Sequence, residues 1–453
     1  MVGKHQRLQE YHESILEDDE SREDVKTVNE SKWCYKWRIL IVSLLALLIG
    51  FICFVYLFYD TGVVTDLPIV KHIDNEKVVS CYYNTPNPQE PNQLLPSNIY
   101  PFLCTHINVA FARVVNKEIY LEDSQYSALE EVVKLKQQNP KLKVLLSVGG
   151  SRNNDGFSEM VVNHASRKTF IRSIKQILLN YSLDGIDLDW EFPAMSLDSD
   201  SNHRERQHFS QLLREIRMEY IREKRNYLLT IAAAAPETIV DVSYDIDQIN
   251  TYVDYVNIMT YDFHYYTNFT PFTGHNSPLY ARATEQLFLA TLNINYTVHM
   301  YLRKGLDSRK IVVGIPTYGH SFKLVNSNNP NVGSPASGFG TLGANGFVNF
   351  PDICMFLNKY KSETTLKYDS SAKVPYLFRD QEWVSFDYPQ SATDKALYIV
   401  DNNLRGAMVY SLNADDYQGV CGAGSEGNLK FPLLHSVKNT LNSTNAGQAV
   451  LRT

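Results

Sequence analysis

The sequence predicts an α/β chain: a (β/α)8 barrel with a small α+β insertion between strands seven and eight, preceded by one N-terminal transmembrane helix. Three observations predict it. Eight short apolar runs alternate with amphipathic stretches from about residue 78 onward. The stretch before the eighth run is too long for a single helix. Residues Ile39 to Phe58 are apolar throughout.

Taken in chain order, residues 1–38 are polar and acidic (Glu17, Asp18, Asp19, Glu20, Glu23, Asp24) and read as a disordered cytosolic tail. Ile39–Phe58 carries no charge, and about 20 apolar residues match the hydrocarbon thickness of a bilayer. The run is apolar on every face, unlike a core helix, and longer than the apolar region of a cleaved signal peptide. Lys32, Lys36 and Arg38 precede it; Asp60 and Asp66 follow. The positive-inside rule then predicts a single-pass type II membrane protein, with the C-terminal part extracellular or in the secretory-pathway lumen. Residues 59–76 read as a stalk. Four sequons, at Asn180, Asn268, Asn295 and Asn442, fall on the predicted lumenal side.

Residues 77–440 are expected to hold the barrel, with 441–453 as a C-terminal tail. The strand-like runs are Val78–Tyr83, His106–Phe111, Lys143–Val148, Gly185–Phe192, Leu228–Ala234, Tyr255–Tyr261, Ile311–Tyr318 and Gly406–Leu412. Helical stretches lie between them, for example Ser127–Gln138, Ser166–Leu179 and Arg204–Lys224. The insertion is placed at about 320–395, a stretch rich in Gly, Asn, Ser, Pro and Tyr. With 453 residues and 44% hydrophobic side chains, the chain can bury a large core. Its net charge of -7, with both signs interspersed, excludes a nucleic-acid groove. Cys34 and Cys53 lie in or beside the apolar run, and Cys34 reads as a palmitoylation site or a plain thiol. Cys81, Cys104, Cys354 and Cys421 permit two bridges in three possible pairings.

The fourth run carries the chemistry. Alternation along a strand puts Ile186, Leu188, Trp190 and Phe192 on one face and Asp187, Asp189 and Glu191 on the other. Burying three like charges is costly unless protons are shared, and crowding raises the pKa of at least one of them. A carboxylic acid kept protonated near neutral pH can protonate a glycosidic oxygen. A calcium site is the weaker alternative, since calcium loops use a turn-forming Gly and not an apolar alternating strand. A purely structural charge cluster is the other.

This segment resembles glycoside hydrolase family 18, the chitinases and chitinase-like lectins. Asp184, Asp187, Asp189 and Glu191 meet the family pattern D-x-x-D-x-D-x-E in full. Ser147-Val-Gly-Gly150 matches S-x-G-G, and Met259-Thr-Tyr261-Asp262 matches M-x-Y-D. Thr273–Tyr280, Gly314–Gly319 and Gly406–Asp416 also read like family segments, so the similarity runs from about Val78 to the C-terminal region. The resemblance implies hydrolysis of β-1,4 bonds beside N-acetylglucosamine with retention, the substrate's own acetamido oxygen being the nucleophile. Glu191 would be the general acid and then the base. Asp189 would orient the acetamido N–H, and Asp187 would share a proton with Asp189. Tyr261 would bond the acetamido carbonyl. Asp262, Tyr82, Phe111, Met259 and Tyr410 would line the sugar site. Asp184, Ser147 and Gly150 would support the strand ends. The resemblance also implies bridges Cys81–Cys104 and Cys354–Cys421. It implies no metal and no organic cofactor, and an N-acetylglucosamine-containing glycan or chitin oligomer as the partner.

Several positions depart from the family pattern. Pro86 and Ser151 stand where Trp is frequent, and Tyr410 where a Trp normally floors the sugar site. Phe263-His264-Tyr265-Tyr266-Thr267 replaces F-H-G-x-W, and Gly319-His320 replaces Gly-Arg. With only Trp190 and Trp383 after the apolar run, short oligomers are expected over crystalline chitin. Two further functions stay open: a glycan-binding lectin or receptor without turnover, and an interaction protein with no sugar role.

Overall fold

The protein's structure, a computed structural model, describes residues 40, 43–52, 76–87, 89, 93–151, 153–195, 202–422 and 429–450. The chain divides into two compact units, Met1–Asp74 and Asn75–Thr453. In the first, residues 43–52 are helical. Among the described residues no helix is long and apolar enough to cross a membrane. This corrects the expected transmembrane span. Of the expected span, residues 39, 41, 42 and 53–58 lie outside the described residues. The type II orientation and the placement of the barrel outside the cell or in a lumen rested on that span and fall with it. The tail at 1–38 and all of the stalk but Glu76 lie outside the described residues.

The second unit is built on a closed parallel sheet. In chain order its strands are β1 (Val78–Asn84), β2 (His106–Val115), β3 (Glu118–Tyr120), β4 (Lys143–Gly149), β5 (Gly185–Asp189), β6 (Leu228–Ala234), β7 (Tyr255–Met259) and β8 (Ile311–Pro316). The next six, β9 (Tyr318–Leu324), β10 (Ala336–Phe339), β11 (Phe347–Asn349), β12 (Thr365–Asp369), β13 (Val374–Arg379) and β14 (Glu382–Ser385), form a separate sheet, and β15 (Gly406–Tyr410) returns to the first. Parallel pairing runs β1-β15-β8-β7-β6-β5-β4-β2, and β2 pairs back to β1, which closes a (β/α)8 TIM barrel. β3 extends β2 as an antiparallel hairpin.

Strand composition explains the layers. On β5, Ile186 and Leu188 are fully buried in the large cluster under the outer helices, while Asp187 faces the barrel interior. The helix His164–Asn180 opens with the Asn163 side chain accepting from the Ser166 N–H, and buries Phe170, Ile174, Ile177 and Leu178 at helical spacing. Four strands end earlier than expected, among them β15, which stops at Tyr410 and not Leu412. β5 stops at Asp189, not Phe192, and β7 at Met259, not Tyr261, because the chain leaves the ladder at the barrel mouth. The seventh run breaks at Thr317, whose N–H turns to the Tyr410 carbonyl; Tyr318 onward belongs to the second sheet.

That second sheet is antiparallel, ordered β10-β9-β14-β13-β12 with β11 also on β9. The helix Pro389–Asp401 then leads back to the barrel. Lys395 of this helix, fully buried, bonds Asp387 at 2.6 Å and Ser277 at 2.9 Å, fixing the return. Cys354, in the helix Phe350–Lys359, is bridged to Cys421, and Cys81 to Cys104. The helix Pro432–Val450 takes up most of the stretch expected as a C-terminal tail.

The bridges close loops of unequal length, with sequence separations of 67 and 23. Loop-closure entropy then gives about 4 kcal/mol for Cys354–Cys421 and about 3 kcal/mol for Cys81–Cys104. Paired Cys→Ala variants measured by denaturant unfolding are expected to lose stability in that order.

Candidate active site

The centre of the site is Asp187. Its Oδ2 accepts from Tyr82 Oη at 2.8 Å and Ser147 Oγ at 2.7 Å; its Oδ1 accepts from Thr230 Oγ1 at 2.6 Å and Asn257 Nδ2 at 3.2 Å. Those donors come from β1, β4, β6 and β7. Strands from around the barrel can reach one carboxylate only in its interior. Burial raises the Asp187 carboxyl above its ordinary range, and the four donors pull the other way.

Asp189 lies one pleat nearer the mouth and is 3% exposed. Its Oδ1 is buried without a hydrogen-bond partner among the described residues. Burial, then the charges of Glu191 and Asp187, hold its carboxyl well above the usual range. Glu191 is next outward and half-buried. Its N–H donates to Asn154 Oδ1 at 2.8 Å. Burial, with the charge of Asp262 adding to it, pushes its carboxyl up to about 7 against the Ser151 N–H. The expected order along the strand is therefore present, with the most open carboxylate at the mouth.

Two glycines let the strand ends approach. Gly149 has φ +109°, and a Cβ there would lie 2.1 Å from the Asp189 carbonyl oxygen. Gly150 has φ +80°, its N–H bonds that same oxygen at 2.7 Å, and a Cβ would lie 2.8 Å from the Phe111 ring. Phe111, Met259, Tyr261 and Tyr410 are half-buried around an inner cluster that includes Tyr82 and Met408. Tyr410 sits 5.8 Å from Tyr261 and 5.7 Å from Tyr82, ring centre to ring centre. Tyr82, 1% exposed, lies beneath the surface and donates to Asp187. Tyr261 donates to Met408 Sδ at 3.8 Å.

Asp262 has φ +57° and an exposed carboxylate. Its Oδ1 bonds Tyr318 Oη at 2.6 Å and His320 Nε2 at 2.7 Å. Asp184 stands at the opposite end of β5, where it pairs with Lys136 at 2.7 Å and Lys143 at 3.3 Å and accepts the Val144 N–H. Neither described Trp reaches the cleft: Trp190 stacks on Phe157 at 5.2 Å, and Trp383 is fully buried in the second sheet. Asn180, Asn268 and Asn442 are exposed. Asn295 accepts from Tyr398 at 3.1 Å and Thr297 is fully buried, so that sequon is engaged in packing.

The matching sequence signature is that of glycosyl hydrolases family 18, over residues 78–415. The chain belongs to glycosyl hydrolases family 18. Among family 18 relatives, chitotriosidase-1 of Mus musculus is 36% identical over 365 residues, covering 78% of this chain and 75% of its own. A solved Group IV chitinase of Ostrinia furnacalis, in complex with allosamidin, superposes with a TM-score of 0.75 at 33% identity, covering 81% of this chain and 99% of its own. Human YKL-39, described as a pseudo-chitinase with retained chitooligosaccharide binding, superposes at 0.74 and 33%, covering 81% and 100%.

Sequence reading missed Thr230, Asn257, Asn154 and Tyr318. The first two had a signal: each is the lone polar residue in an otherwise apolar barrel strand, LLTIAAA and YVNIM. Asn154 and Tyr318 act from loop and second sheet, where no strand period marks them.

Because its folded pKa is raised, Asp189 costs stability. The cost is absent below the unfolded value near 4 and grows as pH rises through the folded value. Asp189→Asn is expected to raise thermal stability at neutral pH, because it removes a buried charge crowded by Glu191 and Asp187. The gain should vanish near pH 4, as followed by thermal melts across pH.

Proposed function

We propose that this chain is a retaining glycoside hydrolase that cleaves β-1,4 linkages of N-acetylglucosamine oligomers by substrate-assisted catalysis. The observation that carries the reading is Glu191, held near pKa 7 at the barrel mouth, one pleat outward from Asp189, whose buried Oδ1 has no hydrogen-bond partner among the described residues. At neutral pH such a group is available both as acid and as base.

Glu191 first gives its proton to the departing glycosidic oxygen. The acetamido oxygen of the sugar attacks C1 from the other face, and an oxazolinium forms. Asp189 holds the acetamido N–H and balances the positive charge. Asp187 shares a proton with Asp189 and takes it up as the positive charge forms, which leaves Asp189 as the carboxylate facing the oxazolinium. Tyr261 bonds the acetamido carbonyl. Glu191, now ionised, takes a proton from water as it attacks C1, which restores the acid and retains configuration.

Tyrosines stand where large ring platforms are needed, and no described Trp reaches the cleft. Chains of a few sugars therefore suit the cleft better than crystalline polymer. Binding without turnover is the competing reading; Tyr410 under the sugar favours it, while the complete acid set favours hydrolysis.

Release of 4-methylumbelliferone from aryl chitobioside by the full chain tests this. Glu191→Gln is expected to lower kcat by about 10²–10⁴-fold. In the wild type, kcat/KM should fall above pH about 7 as Glu191 loses its proton. Binding of oligomers with no turnover in the wild type would replace hydrolysis with the lectin reading.

A further inference from the structure

A peptide N–H withdrawn from water needs an acceptor wherever a strand leaves its ladder. β5 ends at Asp189, and Trp190 and Glu191 continue without a ladder partner. The loop after β4 supplies what the ladder does not. Gly150 donates its N–H to the Asp189 carbonyl at 2.7 Å. Asn154 Oδ1 accepts the Glu191 N–H at 2.8 Å. The Ser151 N–H bonds the Glu191 carboxylate. One loop thus holds the main chain on both sides of Trp190, and the head of the acid as well. Two of these bonds use main-chain N–H groups that almost any residue supplies. The Asn154 bond alone depends on a side chain.

Asn154 works from a fixed base. The Asn153 N–H bonds the Gly150 carbonyl at 3.0 Å, and the Phe157 N–H bonds the Asn154 carbonyl at 3.4 Å. Gly156 has φ +88°, and a Cβ there would lie 2.3 Å from the Val114 carbonyl oxygen of β2. Phe157 in turn stacks on Trp190 at 5.2 Å, and Phe209 meets the same indole edge-on at 5.8 Å. The charges that face Glu191 come from elsewhere: Asp189 on β5 and Asp262 on the loop after β7. The phenols of Tyr244, Tyr261 and Tyr410 also feel its charge. Asn154 adds none, so its part is placement.

We propose that Asn154 is a positioning residue: its amide oxygen fixes the main chain of Glu191 and so keeps the acid's carboxyl at the barrel mouth, beside Asp189 and the departing oxygen. The inference rests on the hydrolase reading for the role of Glu191 and on the loop's bonds for the clamp. Steady-state hydrolysis of aryl chitobioside by full-chain variants tests it. Asn154→Ala removes the acceptor, and Asn154→Leu removes it while keeping the bulk. Both are expected to lower kcat by about 10- to 100-fold, the scale of a reacting group misplaced by about 1 Å, and to change KM by less than about threefold. Both should also bring the high-pH limb of kcat/KM below pH about 7, because a loosened Glu191 gains water and its carboxyl falls toward the ordinary range. Asn154→Asp keeps the acceptor and adds a charge; it should restore most of kcat and carry the limb upward. Thermal melts check that each variant folds. Wild-type kcat in the acceptor-free variants, a loss with the limb unmoved, or an Asp variant no better than Ala overturns the proposal. If the wild type binds oligomers without turnover, hydrolysis falls, and the clamp is read by 13C NMR titration of the Glu-labelled chain, with Glu191→Gln assigning the signal. A midpoint lowered in Asn154→Ala keeps the clamp; an unchanged midpoint removes it.

Discussion

The structure depends on one buried carboxylate. Asp187 ties β1, β4, β6 and β7 to β5 by four hydrogen bonds at the centre of the barrel. A charge in that position is costly unless every oxygen is matched by donors, and here every oxygen is. The same bonds fix the strand on which Asp189 and Glu191 ride. Support for the fold and placement of the reacting groups are thus one set of contacts, graded outward from full satisfaction at Asp187 to openness at Glu191.

The second sheet plays a different part. It meets the site through Tyr318 and His320, which bond Asp262, and through the Tyr318 ring beside Tyr261 and Tyr410. The barrel governs the bond that breaks; the sheet and the loop after β7 govern what lies next to it. Lys395, Asp387 and Ser277 hold the two together through a buried ion pair, which demands close geometry because either charge alone would be stranded.

Much of this was legible in the chain. The apolar runs gave all eight barrel strands, because a sheet covered by helices buries both faces and reads as continuous hydrophobicity. Alternation in Gly185–Glu191 exposed the carboxylates because strand period is a local property. The strand ends were misplaced where tertiary contacts take over: Gly150 captures the Asp189 carbonyl, and Tyr410 captures the Thr317 N–H. Thr230 and Asn257 were passed over because one polar residue in an apolar run looks like noise until a carboxylate is known to face it. The transmembrane reading of 39–58 rested on hydropathy alone, and among the described residues no helix is long and apolar enough to cross a membrane.

Asp184 deserves a last consequence. Its bonds to Lys136, Lys143 and the Val144 N–H neutralise β5 at the end remote from the cleft. The strand is therefore moored where no substrate comes, and Glu191 contributes none of that mooring. An ancestral cutter on such a frame can lose its blade in a single codon and keep its grip on the sugar. Descent from digestion to recognition is then a short step, open in principle to any lineage that inherits the mooring.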